Sequence, residues 1–296
     1  MIHMRGIVVA LPNDKELAAS VGKGGTESSM LFYNRKVEDD TVTVLTPTDT
    51  EKRYYAVPES ILLADVIVLG TAHVDALLGE TLIAAGMVDK PVILTDENDV
   101  SRFTKDAGIS KISIVKREAL LQEIRRVGPV GSQGDVRIDI DAAFNVKGVG
   151  TVLLGIVRNG TVRTHDTLVH SGGKQVMIRS IQSLDVDIES AVKGIRVGLA
   201  VKGLESDEVE KGDILAMQQA PRINFSVLNS DQIGTLPSGK SAIVKFSDFA
   251  AGGIPSNPTS STVFIGYVWL GYCTTICTSP TNYTKVATIQ LSSGAG

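Results

Sequence analysis

The stretch Gly128-Pro129-Val130-Gly131-Ser132-Gln133-Gly134 constrains the fold more than any other part of the chain. Glycine and proline break both helices and strands, so no regular element runs through it. The hydrophobic rhythm also differs on its two sides. A chain of 296 residues is long enough to split into more than one core. The stretch therefore reads as a boundary closing a domain of residues 1–132.

Before the boundary, short Val/Ile-rich runs alternate with segments of helical period. Residues 6–11, 42–45, 66–69, 91–94 and 112–115 read as strands apolar on both faces, as a covered parallel sheet requires. Residues 58–64, 74–85, 101–107 and 118–127 carry apolar side chains three and four apart and read as the helices packed on that sheet. The fold class expected here is α/β.

After the boundary, residues 133–220 contain strands broken by Gly, Asn and Asp turns, at 136–140, 150–157, 166–169, 175–181 and 194–201. Arg158-Asn159-Gly160-Thr161 has the Asn-Gly pair that suits a tight hairpin. With no long helical stretch, a small closed or nearly closed β-barrel is expected. Residues 221–296 hold six charged residues, with none between Asp248 and Lys285. Runs at 226–229, 242–246, 262–270 and 285–291 suggest a β-rich segment, in keeping with a third barrel.

Composition narrows the classes of function. A net charge of -4 argues against general coating of nucleic acid, DNA included, and leaves room for RNA contact through a local patch. Cys273 and Cys277 are the two cysteines, the usage of a reducing compartment, and the opening residues carry no export signal, so a cytoplasmic location is expected. Two thiols without further ligands, and histidines scattered at His3, His73, His165 and His170, give no metal site. Residues 262–278 are too short and too polar for a membrane span, so no membrane partner is expected. Gly234-Thr235-Leu236-Pro237-Ser238-Gly239-Lys240-Ser241 matches the phosphate-loop pattern in letters. It precedes a β-branched run instead of a helix, and reads as a chance match.

Several stretches together resemble a known family. They are Phe144-Asn145-Val146-Lys147-Gly148-Val149-Gly150-Thr151-Val152, Gly155-Ile156-Val157, Asn159-Gly160-Thr161-Val162, Gly194-Ile195-Arg196-Val197-Gly198-Leu199, Val201-Lys202-Gly203-Leu204 and Glu208-Val209-Glu210-Lys211-Gly212-Asp213-Ile214-Leu215. In order and spacing they resemble the second domain of elongation factor Tu and its selenocysteine-specific relative SelB. Leu62-Leu63-Ala64-Asp65-Val66-Ile67-Val68-Leu69, followed by Gly79-Glu80-Thr81-Leu82-Ile83-Ala84, resembles part of that family's GTPase domain, with Asp65 structural.

The departures lie in the nucleotide-binding motifs. After the first strand, Pro12-Asn13-Asp14-Lys15-Glu16-Leu17 has no glycine to cradle phosphate and offers two carboxylates instead. Thr46-Pro47-Thr48-Asp49 stands where the resemblance places D-x-x-G, and Thr95-Asp96-Glu97-Asn98-Asp99 where it places N-K-x-D. The nearest substitute for a phosphate loop is Gly22, Lys23, Gly24, Gly25 and Thr26, either an anion loop or a flexible surface turn.

The resemblance thus implies a degenerate P-loop-GTPase-like parallel sheet domain, an elongation-factor domain-II-like barrel and a β-rich C-terminal segment. It implies a translation accessory protein that binds tRNA, the ribosome or another translation factor, with no cofactor and no catalytic residues. Two alternatives stay open: a divergent GTPase using residues 22–26 with GTP and magnesium, and a structural interaction module. Carried over by position, Asp141, Phe144, Gln182, Leu184 and Arg196 would form the docking site for the aminoacylated end of tRNA. Phe144 would stack on a base or aminoacyl group and Arg196 would meet an anion. Phe144 and Leu184 suit the barrel core equally well. Gln182 and Leu184 replace polar residues of ordinary elongation factors, which points to an altered ligand.

Overall fold

The computed structural model describes residues 5–25, 30–48, 53–129 and 134–218, with three short strands at 224–227, 241–243 and 289–292. The first unit runs β1 (Arg5–Ala10), α1 (Lys15–Val21), β2 (Lys23–Gly24), β3 (Met30–Val37), β4 (Asp40–Pro47), α2 (Arg53–Leu63), β5 (Val66–Leu69), α3 (Ala76–Gly86), β6 (Val92–Thr95), α4 (Ser101–Asp106), β7 (Ile112–Val115) and α5 (Leu120–Val127). Its sheet has the order β2-β3-β4-β1-β5-β6-β7. Strands β4, β1, β5, β6 and β7 are parallel, while β3 returns antiparallel beside β4.

The expected strands are all present, and the alternation within them explains why both faces are apolar. Ile7, Val9, Val66 and Val68 pack towards α1 and α5, whereas Ala10, Ile67 and Leu69 pack towards α2 and α3. Helix α5 stops at Gly128, whose φ of 69° lies in the left-handed region that glycine enters at little cost. Two features differ from the sequence reading. Helix α2 begins at Arg53 and carries Pro58 in its interior, although proline ordinarily marks a helix start. Strand β3 was not anticipated. Leu31 and Tyr33 face α1, while Met30 and Phe32 face a residue of the second unit, so its apolar run serves two different neighbours.

The second unit comprises β8 (Arg137–Val146), β9 (Gly150–Asn159), β10 (Thr161–Arg163), β11 (Thr167–His170), β12 (Gln175–Ser183), β13 (Val186–Ile188), β14 (Ser190–Val192), β15 (Arg196–Lys202) and β16 (Ile214–Ala216). The order β11-β16-β8-β9-β15-β12 closes on itself through a β11–β12 pairing, giving a six-stranded barrel. Ile138, Ile140, Leu153, Ile178, Leu199 and Leu215 fill its interior, each fully buried. The Asn-Gly turn is corrected in one respect. Gly160 does have a positive φ of 65°, yet β10 pairs with β14 instead of folding back on β9, so the turn redirects the chain without forming a hairpin.

A third, smaller sheet pairs β17 (Asn224–Val227) with β18 (Ser241–Ile243) and β19 (Ile289–Ser292), both antiparallel. The run at 262–270, the phosphate-loop look-alike up to Lys240, and both cysteines lie outside the described residues.

Candidate functional site

In an open α/β sheet the loops at the carboxyl ends of the strands form the natural ligand crevice. Here those loops are bound to one another. The Asn13 amide donates to the Gly70 carbonyl at 2.6 Å and accepts from the Gly70 N–H at 3.1 Å, joining the loops after β1 and β5. Asp14 caps α1 by accepting from the Leu17 N–H at 2.8 Å. It also pairs with Arg117 at 2.8 Å, which spans to the loop after β7. The same guanidinium pairs with Glu97, beyond β6. The Thr71 hydroxyl donates to Glu97 at 3.0 Å, the Thr71 N–H donates to the Thr95 hydroxyl at 2.8 Å, and the Asn98 amide donates to the Thr71 carbonyl at 2.8 Å.

Burial pushes the Glu97 carboxyl up, but hydrogen bonds from Thr95, Arg117 and Thr71 outweigh it and hold the group at about 2. Glu97 is therefore ionised throughout the neutral range. A phosphate approaching this end of the sheet would meet carboxylates whose nearby cation, Arg117, already serves two of them.

The glycine-rich stretch that follows α1 is extended. Gly22 has φ −151° and ψ 173°, Lys23 and Gly24 pair with Asn34 and Tyr33, and the Gly25 N–H donates to the Phe32 carbonyl at 2.9 Å. Extended backbone points successive N–H groups to opposite sides, whereas an anion nest needs them to converge. Gly22 to Gly25 thus run as extended edge backbone, with Thr26 outside the described residues. At the D-x-x-G position, the Thr46 hydroxyl donates to the Leu11 carbonyl at 3.0 Å and Pro47 lies opposite Met30.

On the barrel, the pairing registers set the docking candidates in order. Ala142, Leu154, Gly198 and Gln182 lie abreast on β8, β9, β15 and β12, and Phe144, Val152, Ala200 and Ser180 form the next row. The core residues Leu153, Leu199 and Ile181 occupy the intervening row, so these two rows face outward. Phe144 is 42% exposed and Leu184 40%, so neither belongs to the barrel core. Leu184 sits in the β12–β13 turn with a φ of 52°, and the Gln182 amide donates to Asp187 at 2.8 Å.

Asp141 and Arg196 are elsewhere on this face, turned towards the first unit. Arg196 donates to Asp141 at 2.9 Å, and its guanidinium lies 3.3 Å above the Phe32 ring. Burial raises the Asp141 carboxyl, against the pull of Arg196 and Lys211, and burial lowers Arg196 against the pull of Asp141. Arg196, expected to meet an external anion, is here engaged by Asp141 and the Phe32 ring. Phe32 went unread in the sequence because no local pattern links it to Arg196.

One further polar cluster lies in the barrel. Ser171 donates to Asp213 at 2.9 Å and His170 Nε2 lies 3.2 Å from the other carboxylate oxygen. Both groups converge on the carboxylate, so serine is not linked to histidine as nucleophile to base. The cluster ties β11 to the chain entering β16. Among the described residues no group of His, Cys, Asp and Glu could hold a metal, and no helix is long and apolar enough to cross a membrane.

Comparison with known proteins accords with this architecture. The profile of elongation factor Tu domain 2 matches residues 150–216, from β9 through β16. The structure of SelB from Methanococcus maripaludis in complex with the GTP analogue GPPNHP superposes with a TM-score of 0.59 at 18% identity, covering 79% of this chain and 60% of that one. A bacterial selenocysteine-specific elongation factor superposes with a TM-score of 0.63 at 18% identity, covering 82% and 51%. The fold is thus that of an elongation factor Tu/SelB-like translation-factor protein. In sequence, the chain is 37% identical over 84 residues to the selenocysteine-specific elongation factor of Methanocaldococcus jannaschii, spanning 28% of this chain and 18% of that protein. It is 33% identical over 224 residues to the uncharacterized protein MJ0325 of the same organism, covering 72% of this chain and 73% of that protein, and it belongs to that protein's family.

Proposed function

We propose that this protein binds tRNA, the ribosome or another translation factor through the outer face of its barrel, and does so without hydrolysing GTP. The observation that carries this reading is the Asp14–Arg117–Glu97 bridge across the carboxyl ends of the sheet. A triphosphate is held by convergent N–H groups, a lysine and a magnesium ion. Here the loops supply the Asp14 and Glu97 side chains and a cation already shared between them.

The outer barrel face supports the binding half of the proposal. Phe144 presents an exposed ring on which a base or an aminoacyl group can stack. Arg179 reaches over the adjoining hairpin and donates to the Val149 carbonyl at 2.8 Å, placing a cation beside the Phe144 strand. Gln182 and Leu184 border the same face, and Asp141 with Arg196 forms its wall against the α/β domain. That wall holds its own charges, so the ligand is selected by the exposed apolar and amide groups.

Calorimetric titration with GTP and with GDP, each with magnesium, tests the first half. No saturable heat is expected, and a micromolar isotherm would return the divergent GTPase to favour. Gel shift against aminoacyl-tRNA and ribosomal subunits at two salt concentrations tests the second half. A shifted species that weakens with salt and with Phe144→Ala is expected; no shift with either RNA would leave the protein-interaction module.

A further inference from the structure

We infer that the α/β domain and the barrel are locked as one rigid body along α2 and β1, so that the barrel's outer face is held in a single orientation whatever nucleotide is present. The seam has four components.

The first is direct backbone contact. A Cβ on Gly6 of β1 would lie 2.4 Å from the Gly194 carbonyl carbon, and one on Gly194 would lie 2.2 Å from the Gly6 oxygen. Gly194 also has a φ of 84°, a conformation other residues rarely adopt. No side chain lies between these two backbones to let them slide.

The second is a set of cations from three separate parts of the barrel, all directed at α2 and the residues just after it. Arg158 of β9 donates to the carbonyls of Leu63 and Leu62, the second at 3.2 Å, satisfying groups that a helix leaves open at its carboxyl end. Lys193, before β15, lies 3.1 Å from Asp65, whose other oxygen accepts from the Val8 N–H at 3.0 Å. Lys211, before β16, lies 2.7 Å from Glu59. Glu59 and Asp65 are both buried.

The third is an apolar plug. Ile156 projects from the outer face of β9 and is fully buried among Val8, Met30, Phe32, Leu45 and Leu63 of the α/β domain. The fourth is the Arg196 guanidinium, sandwiched between Asp141 and the Phe32 ring. Opening the seam would expose all of these together. Buried carboxylates would lose their cations, helix carbonyls would lose a donor, and the plug would leave a hole. A joint that rotated in use would need contacts that reform in a second position, and backbone-to-backbone packing permits little sliding.

The consequence for partner binding rests on the function proposed above; the lock itself does not. Pulsed electron paramagnetic resonance on the full chain tests it, with spin labels at Arg102→Cys and Lys202→Cys and with Cys273 and Cys277 replaced by serine. One narrow distance distribution is expected, unchanged by millimolar GTP or GDP with magnesium. The combined substitution Lys193→Met and Lys211→Met is expected to broaden it. A wild-type distribution that is broad or bimodal overturns the lock and leaves the proposed function standing, whereas one that moves with nucleotide overturns both. A combined variant that folds and keeps the narrow distribution overturns the role given to the cations. Should that variant fail to fold, calorimetric unfolding of the wild type decides, since the lock requires both domains to melt in one transition and two separate transitions overturn it.

Discussion

The carboxyl ends of the parallel strands and the outer face of the barrel are opposite in character. The strand ends are rich in Asp, Glu, Asn, Thr and Arg, the residue types expected of a catalytic crevice, yet these groups are consumed by one another. The barrel face pairs its charges Asp141 and Arg196 with each other, yet it leaves Phe144 and Leu184 open to solvent. The difference shows that polar side chains in the right place do not make a site when each is already satisfied. Neighbouring apolar side chains left exposed among the described residues, as at Phe144, Val146 and Val149, say more about binding.

The sharpest way to break that comparison is to truncate two apolar residues on the same barrel face. Ile156 is fully buried in the seam and Phe144 is half exposed. Ile156→Ala is expected to cost about 3 kcal/mol in urea denaturation, since a buried cavity is left behind. If Ile156→Ala proves neutral, the seam is not a packed core.

The next effect concerns pH. Burial raises the Glu59 carboxyl to about 7, with Asp141 adding to the rise and Lys211 opposing it. The folded protein then holds this proton more tightly than the unfolded chain, whose carboxyl titrates at its ordinary value of 4.5. The stability it contributes is fully present below that ordinary value and is lost as pH rises towards 7. Glu59→Gln is expected to abolish this slope, with a difference from the wild type of up to about 3 kcal/mol across the window. Thermal unfolding of both proteins at several pH values measures it; parallel profiles would contradict the assignment.

A smaller change is expected at the strand ends. Arg117→Ala leaves Asp14 and Glu97 without their shared cation, and a loss of about 1 kcal/mol is expected, discounted because the guanidinium is 36% exposed. Calorimetry of this variant with GTP extends the test, and nucleotide binding gained by it would show that the bridge alone closes the crevice. The smallest effect on stability, below about 1 kcal/mol, is expected for Phe144→Ala, because an exposed ring contributes little to folding. Its signature is weakened RNA gel shift at unchanged melting temperature.

Much of the fold was readable in the sequence because the signals are local. Val66-Ile67-Val68-Leu69 is apolar on both faces, and such a strand has to be covered on both sides. In the barrel strands, Leu153, Ile181 and Leu199 point inward between outward-facing neighbours. Strand β3 escaped because its apolar half ends in Asn34-Arg35-Lys36, which hides the period. The start of α2 escaped because Pro58 imitates a helix start. One signal of the seam was present all along: Val152, Leu154 and Ile156 are apolar on the outward side of β9, so that side also needs cover.

By itself, then, the sequence determined the parallel sheet, the barrel and the loss of the phosphate-gripping motifs, since each depends on residues close together in the chain. Only the tertiary structure decided where the charges go. Arg196 and Asp141 are 55 residues apart, and Phe32 belongs to another domain. A guanidinium has the same chemistry whether it meets a phosphate or a carboxylate, and the choice depends on which group folding brings within three ångströms.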